Sequence, residues 1–323
     1  MQKRVTSADV AREAGLSRAT VSYVLNGDPR QQIPEPTRQR VHEAAAKLGY
    51  RPYGPARLLR GAKSRLVLMF TPGLEHASDF VAADIITRLG DELSTSGLHL
   101  MWQLGDSETQ GASIDLAPAV VLSSARESED AFVQLTRQFE VPVLPAFPGL
   151  DEFIAGAAAT QVEHLASHGR SQLAFAAPDQ VELGPTAALR WGAVQRAAER
   201  LGLPEPVHVV VPTGREGARS ALSRLLDEQP SATGICAYND VVAFGVLAAA
   251  ADLDVAIPER VAVIGVDDHP LAPLSVPALT TVRADVGEFV TGLARAVVAA
   301  AHNEPIPPVL LPTRSVVVER ASG

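Results

Sequence analysis

Val5-Thr6-Ser7-Ala8-Asp9-Val10-Ala11-Arg12-Glu13-Ala14-Gly15-Leu16-Ser17-Arg18-Ala19-Thr20-Val21-Ser22-Tyr23-Val24-Leu25-Asn26-Gly27 reads as two short helices parted by a glycine. Thr6-x-x-Asp9 has the spacing of a helix-start box, in which a hydroxyl meets a free first-turn amide and the acid reaches back. Val10 and Ala14 fall on one face, with Ala11 beside them. Gly15 ends the first helix, where a left-handed conformation excludes most side chains. Ser17 caps a second helix running to about Leu25, with Val21, Val24 and Leu25 inward, and Asn26-Gly27 stops it. Two such helices joined through Ala14-Gly15-Leu16 predict a helix-turn-helix. Ala11 must be small because the second helix crosses close above it. A third helix, about Pro36 to Leu48, covers the pair with Val41, Ala45 and Leu48 before Gly49 ends it.

The second helix of such a unit enters the major groove, and its first side chains reach base edges. Arg18, Ala19 and Tyr23 hold those positions, with Ser17, Thr20 and Ser22 placed for phosphate or base contacts. Arg18 suits guanine O6 and N7, and Tyr23 a thymine methyl or a base-edge hydrogen bond. The alternative is a three-helix bundle with no nucleic-acid partner. Charge argues against it. Residues 1–63 hold 12 Lys+Arg and 5 Asp+Glu, leaving 16 basic and 32 acidic residues in the rest of a chain whose net charge is −9. A basic head on an acidic body is expected when one end alone meets a polyanion.

At 323 residues the chain suits two or three domains. Its longest apolar stretch, around Val241 to Ala251, contains a glycine and is far short of the roughly 18 to 20 residues that cross a bilayer. Met1-Gln2-Lys3-Arg4 leads straight into polar, helix-starting sequence without a signal-peptide core. Cys236 is the single cysteine, so no internal disulfide and no paired-cysteine metal site is expected. These features point to a cytoplasmic protein with no membrane partner.

The quoted stretch, continued by Arg38-Gln39-Arg40-Val41, Ala44-Ala45 and Leu48-Gly49-Tyr50-Arg51-Pro52, resembles the head of the lactose/galactose-repressor (LacI/GalR) family. Tyr23 departs from the pattern, since the family more often has arginine after the serine. The resemblance implies DNA contacts from Thr6, Ser17, Arg18, Ala19, Thr20, Ser22, Tyr23, Asn26 and Tyr50. Pro55-Ala56-Arg57-Leu58-Leu59-Arg60-Gly61 looks like the family's hinge helix. A helix of about six residues is marginal alone and should order only when two copies pack together on DNA. Ala56 and Arg57 match the hinge, and Leu59 matches the leucine that wedges into the minor groove and kinks the duplex. Gly61-Ala62-Lys63-Ser64 lacks the upstream glycine and the preceding strand of a phosphate-binding loop, and that reading is rejected.

From Leu66 the pattern changes to β-rich runs alternating with helical stretches. Expected strands are Leu66–Phe70, Leu98–Gln103, Ala119–Leu122, Val141–Leu144, Leu173–Ala176, Val207–Val211, Gly234–Ala237 and Val261–Val266. Expected helices include Asp84–Ser96, Ala155–His168, Thr186–Leu201, Arg215–Gln229 and Asp240–Ala251. Alternation of this kind predicts parallel sheets covered by helices, and eight strands suit two sheets better than one. No GxGxxG follows the first strand, so no dinucleotide site or other cofactor is expected.

The similarity to the family extends through Gly234-Ile235-Cys236-Ala237-Tyr238-Asn239-Asp240, Ala243-Phe244-Gly245, Ile257 to Asp268, and Pro277 to Val282. It implies an all-α helix-turn-helix head plus an α/β two-lobed, periplasmic-binding-protein-like effector domain. The divisions are 1–50 for the DNA-binding head, 51–63 for the hinge and 64–323 for effector binding and dimerisation. Lobe one then covers about 64–148 and 283–307, and lobe two about 149–280 and 308–323. Strand ends facing a cleft are where open α/β sheets bind ligands. The resemblance places Asn239, Asp267 and Arg190 against an effector, while Asp240 and Asp268 also suit helix or turn capping. Phe80, Phe147 and Trp191 are candidates for an apolar wall, with ordinary core as the alternative.

His164 and His168, four apart, have no third ligand at recognisable spacing, so no metal site is expected. No Gly-x-Ser-x-Gly elbow, HExxH or paired catalytic carboxylates are present, and an enzyme is not expected. No heptad tail follows Val316-Val317-Val318, which favours a homodimer over a tail-linked tetramer. The expectation is a repressor on pseudo-palindromic double-stranded operator DNA, controlled by a sugar-like or other small effector. The alternatives are a regulator with a vestigial pocket controlled by a protein partner, and a solute-binding protein.

Overall fold

Capping chemistry sets the helix boundaries of the head. In the computed structural model, which describes residues 5–26, 33–50, 64–71, 80–104, 117–125, 130–312 and 314–323, α1 (Ser7–Ala14) follows Thr6 in extended conformation. Asp9 Oδ2 accepts the Thr6 amide at 2.9 Å and the Thr6 hydroxyl at 2.7 Å. The hydroxyl bond is the main reason the Asp9 carboxyl lies below its ordinary pKa. Gly15 has φ +63°, and the Leu16 amide returns to the Ala11 carbonyl at 2.9 Å, the αL stop expected of glycine. Ser17 Oγ then accepts the Thr20 amide at 3.0 Å and opens α2 (Arg18–Asn26). α3 (Glu35–Lys47) begins behind Pro34.

Val10, Ala11, Ala14, Val21, Val24, Val41, Ala44 and Ala45 form the head's core, with Leu25 and Leu48 partly buried against it. Arg40 donates to the Ala14 carbonyl at 2.6 Å, and Lys47 meets Glu13 at 2.5 Å. Both bonds tie α3 to α1. Gly27 and the expected hinge, with Ala56, Arg57 and Leu59, lie outside the described residues.

The chain divides into two compact units, Met1–Ser64 and Arg65–Gly323. The second opens with β1 (Leu66–Thr71), α4 (Phe80–Thr95), β2 (His99–Leu104), β3 (Val120–Ser123), α5 (Asp130–Gln138) and β4 (Val143–Pro145). Their strands pair in parallel in the order β2-β1-β3-β4. Next come α6 (Leu150–Ser167), β5 (Leu173–Pro178), α7 (Gly184–Arg200), β6 (Val207–Val211) and α8 (Arg215–Glu228). β7 (Gly234–Ala237), α9 (Asp240–Asp252), β8 (Ala262–Val266), β9 (Thr280–Ala284), α10 (Gly287–His302) and β10 (Ser315–Val318) complete the unit. The second sheet runs β10-β9-β8-β7-β5-β6, with β10 alone antiparallel.

β3, β5, β7 and β8 are buried at every position, as strands covered by helices on both faces must be. α10, late in the chain, packs back on α4 and β3 beside the first sheet. One apolar cluster, including Met69, Leu122, Phe153, Phe175, Ile264 and Val297, reaches through both sheets.

The structure adds β9 and β10 to the eight expected strands. β9 begins with two threonines and carries Arg283, and β10 is an edge strand with Val316 exposed, so neither stands out as a buried apolar run. α4 starts at Phe80 rather than Asp84, and α6 at Leu150 rather than Ala155.

Removing the Ser17 cap leaves a first-turn amide of α2 without its acceptor. Ser17→Ala should lower the stability of the head by about 1 kcal/mol, with Ser17→Asp retaining most of it. Urea unfolding followed by circular dichroism checks this; an unchanged midpoint for the alanine variant contradicts it.

Candidate DNA-reading face and effector cleft

α2 has one buried and one open side. Val21 and Val24 point into the head's core, while Arg18, Ala19 and Tyr23 are exposed and Thr20 and Ser22 half-buried. The Ser17 and Thr20 hydroxyls lie 2.8 Å apart, so capping and any phosphate contact draw on the same oxygens. Thr6 is exposed at the start of α1. Tyr50 packs partly buried against the core, its amide bonded to the Ala45 carbonyl at 2.8 Å. Asn26 is the last residue of α2; its side chain lies outside the described residues.

In the second unit, Asn239 lies two residues past β7 and Asp267 directly past β8, and α7 brings Arg190 to them. Arg190 donates to the Tyr238 carbonyl, and its guanidinium carbon lies 4.6 Å from the Tyr238 ring centroid. Its Nη2 is 4.0 Å from Asp267 Oδ1, with the two side chains only 9% and 5% exposed. A cation and a carboxylate set together offer donors and acceptors at one place, which suits hydroxyl groups that each donate and accept. Asp267 has φ +113°, a conformation that strains any residue with a side chain and that gathers at functional sites.

Asn239 caps α9, its Oδ1 accepting the Val242 amide at 3.0 Å. With that oxygen engaged, the amide nitrogen is the group it has to offer a ligand. Asp240 and Asp268 serve the scaffold. Asp240 is buried; its Oδ1 accepts the Thr281 hydroxyl at 2.6 Å and its Oδ2 the His269 amide at 2.7 Å. A side chain at Gly265 would place its Cβ 2.0 Å from Asp240 Oδ1, so only glycine lets the carboxylate lie against β8. Burial pushes the Asp240 carboxyl up to about 6, against the lowering effect of its two donors. Asp268 takes Arg320 at 2.6 Å and Arg283 at 3.1 Å.

The aromatic candidates separate. The Phe80 ring, at the start of α4, is 5.0 Å from that of His269, which also meets Phe244 at 5.8 Å. Through His269, whose amide bonds Asp240, Phe80 reaches the strand-end cluster. Trp191 instead packs on Phe175 at 5.8 Å and on His208, on edge strand β6, at 5.2 Å. Phe147, just past β4, is partly buried against the main core. The His164 and His168 rings lie tilted against each other with centroids 4.3 Å apart, and burial holds His164 below its ordinary pKa. Among the described residues no three His, Cys, Asp or Glu are arranged to hold a metal, and no helix is long and apolar enough to cross a membrane.

Sequence reasoning missed Tyr238, His269, Arg320 and Gln161. Gln161 alone gave a signal: it falls on the buried stripe of α6 marked by Ile154, Ala157, Ala158, Val162 and Leu165, where a polar residue needs a partner.

Comparison with known proteins agrees with this layout. Residues 6–53 match the profile of bacterial regulatory proteins of the lacI family, and residues 162–322 that of a periplasmic binding protein-like domain. The HTH-type transcriptional regulator MalR of Streptomyces coelicolor is 30% identical over 326 residues, spanning 93% of this chain and 91% of its own. The lac repressor dimer bound to operator and the anti-inducer ONPF superposes with a TM-score of 0.80 over 99% of both chains, at 22% identity. The transcriptional regulator CelR in complex with cellobiose gives 0.66 at 24% identity, over 99% of this chain and 100% of its own. At those identities the two structures speak for the fold.

Two outcomes follow from the strand-end geometry. Relief of the backbone strain should make Asp267→Gly more stable than Asp267→Ala, by about 1–3 kcal/mol; equal melting temperatures contradict the strain. An aspartate whose folded pKa rises from 3.8 to about 6 favours folding in its protonated form, a contribution complete below 3.8 and lost as pH rises through 6. The melting temperature of the wild type minus that of Asp240→Asn should therefore increase between pH 7.5 and pH 5.5. A flat or falling difference rejects it.

Proposed function

Because the chain belongs to the lacI family of bacterial regulatory proteins, we propose that it is a homodimeric, non-catalytic repressor of the cytoplasm whose grip on operator DNA is set by a small polyhydroxylated effector. The observation that carries the DNA half is α2, with Arg18, Ala19 and Tyr23 open on a head whose other side is packed. The basic surplus of residues 1–63 supplies the sequence-independent attraction to phosphate. Thr6, Ser17, Thr20, Ser22, Asn26 and Tyr50 complete the proposed contact set, and Ala56, Arg57 and Leu59 the proposed hinge. The division of labour is 1–50 for reading, 51–63 for the hinge and 64–323 for effector and partner copy. β9 carries lobe two to Ala284, and α10 returns the chain to lobe one.

Arg190, Asn239 and Asp267 hold the effector in this reading. Phe80 closes the wall from the other lobe, while Trp191 and Phe147 support it from the core. A sugar is favoured because the site offers an arginine, an amide nitrogen and a carboxylate together, and because the similar CelR fold is found with cellobiose. For the second copy, Leu271, Leu274, Val276 and Val241 leave an apolar surface at the start of α9 and the loop before β9, with Leu274 72% and Val276 86% exposed. Exposed apolar patches of this kind mark interfaces. Effector bound in the cleft would shift one lobe against the other and change how two hinges meet the duplex, a coupling typically of about 1–3 kcal/mol.

Selection of duplexes from a random pool on the purified protein should recover a pseudo-palindrome. On that sequence Arg18→Ala should lose about 1–3 kcal/mol and relax one position in each half-site. Leu59→Ala should reduce bending while leaving effector binding unchanged. Equal affinity for random and selected duplexes would overturn the reading.

A further inference from the structure

The ladder between β7 and β8 ends early. Gly234 pairs with Ala262, Ile235 with Val263 and Cys236 with Ile264, yet both strands continue, to Ala237 and Val266. Beyond the last pair they part to become the two arms that carry Asn239 and Asp267. Parting leaves the Ala237 carbonyl, which would meet the Val266 amide if the ladder went on, facing the buried interior, where an unmet polar group costs about 1–3 kcal/mol. Gln161 fills that gap. It is 2% exposed, and its Nε2 lies 3.0 Å from the Ala237 carbonyl, 3.0 Å from that of Ile264 and 3.2 Å from that of Gly265.

We propose that Gln161 is a positioning residue for the effector site: it replaces the missing rung between β7 and β8 and so sets the spacing of the Asn239 and Asp267 arms. Its bond at Ala237 holds the strand just before the Tyr238 carbonyl that Arg190 takes. Its two N–H groups serve three carbonyls, and the contact shared between Ile264 and Gly265 holds the other strand just before Asp267. α6 delivers it over one face of the sheet, while Asp240 braces Gly265 from α9 on the opposite face. The arms are thus clamped from both sides: Asn239 and Asp267 hang from backbone that Gln161 holds, and Arg190, on α7, bonds the Tyr238 carbonyl of the first arm. An apolar side chain there would fill the volume but join nothing, since a thioether or methyl cannot donate to a carbonyl. The functional part of this inference rests on the reading that Arg190, Asn239 and Asp267 meet the effector. The positioning part stands on the geometry alone.

Hydrogen exchange on the unliganded full-length chain tests the positioning part. The Tyr238 amide is held by the Ala176 carbonyl at 2.9 Å and the Asp267 amide by that of Val282 at 2.8 Å, so both report the arms. Gln161→Met, close in volume but without a donor, should speed exchange at least tenfold in peptides spanning 236–242 and 264–270, with β6 and α8 unchanged. Gln161→Glu should behave likewise at pH 8 and recover part of the protection at pH 5.5 after correction for intrinsic rates, because a neutral carboxyl donates once. Unchanged exchange in both variants, or acceleration spread evenly over the unit, overturns the proposal. Titration with cellobiose, maltose and galactose then separates it from the effector reading. A sugar bound by the wild type should bind Gln161→Met at least tenfold more weakly, and equal affinity removes the functional role. Failure of all three sugars on the wild type counts against the sugar reading, while the exchange result still decides the role of Gln161.

Discussion

The second unit depends on a single constraint: two neighbouring parallel strands must separate at their carboxyl ends without leaving buried backbone unmet. The arms that carry Asn239 and Asp267 begin where β7 and β8 stop pairing. Separation leaves the Ala237 carbonyl without its rung in a dry interior. The chain answers with a buried amide from Gln161, a buried carboxylate from Asp240, and an arginine pair on Asp268. Each of these groups is unfavourable to bury alone and acceptable only in its full set of bonds. That requirement makes the strand ends rigid enough to hold Asp267 at φ +113°, a conformation that a looser loop would relax.

The same economy of polar contacts governs the head. Its core is small, built mainly from valine and alanine, and packing of that size supports little stability unaided. Caps at Thr6 and Ser17 and the ties from Arg40 and Lys47 fix three short helices against one another. Arg18, Ala19 and Tyr23 are then left exposed on one side of α2. Charge follows the same division. The head is basic and the body acidic, so attraction to a polyanion is confined to the end that carries the open helix face.

Much of this was legible in the sequence because the head and the buried strands obey local rules. Val10, Ala14, Val21 and Val41 fall at helical spacing, Gly15 sits at a left-handed stop, and β5 and β7 are continuous apolar runs. The less legible parts depend on partners distant in sequence. β9 opens on two threonines and β10 is a half-exposed edge strand, and β10 pairs with β9 only after the chain has passed through α10 and a proline-rich segment. Gln161 acts on carbonyls 76 to 104 residues away, and nothing near it in the chain announces those acceptors. Trp191 and Arg190 are adjacent, yet one helix step turns the first toward β6 and the second toward Tyr238. Rarity of aromatic residues could not tell those directions apart, and only the fold does.

Two sites on one chain are coupled in this reading, and thermodynamic reciprocity examines that coupling most directly. Operator affinity should be measured with and without a saturating sugar that raises the protein's melting temperature, and the affinity for that sugar with and without saturating operator. With the sites coupled, both ratios should depart from one by the same factor, about 5- to 150-fold. A sugar that binds in the cleft while leaving operator affinity unchanged, and whose own affinity ignores the operator, would contradict it.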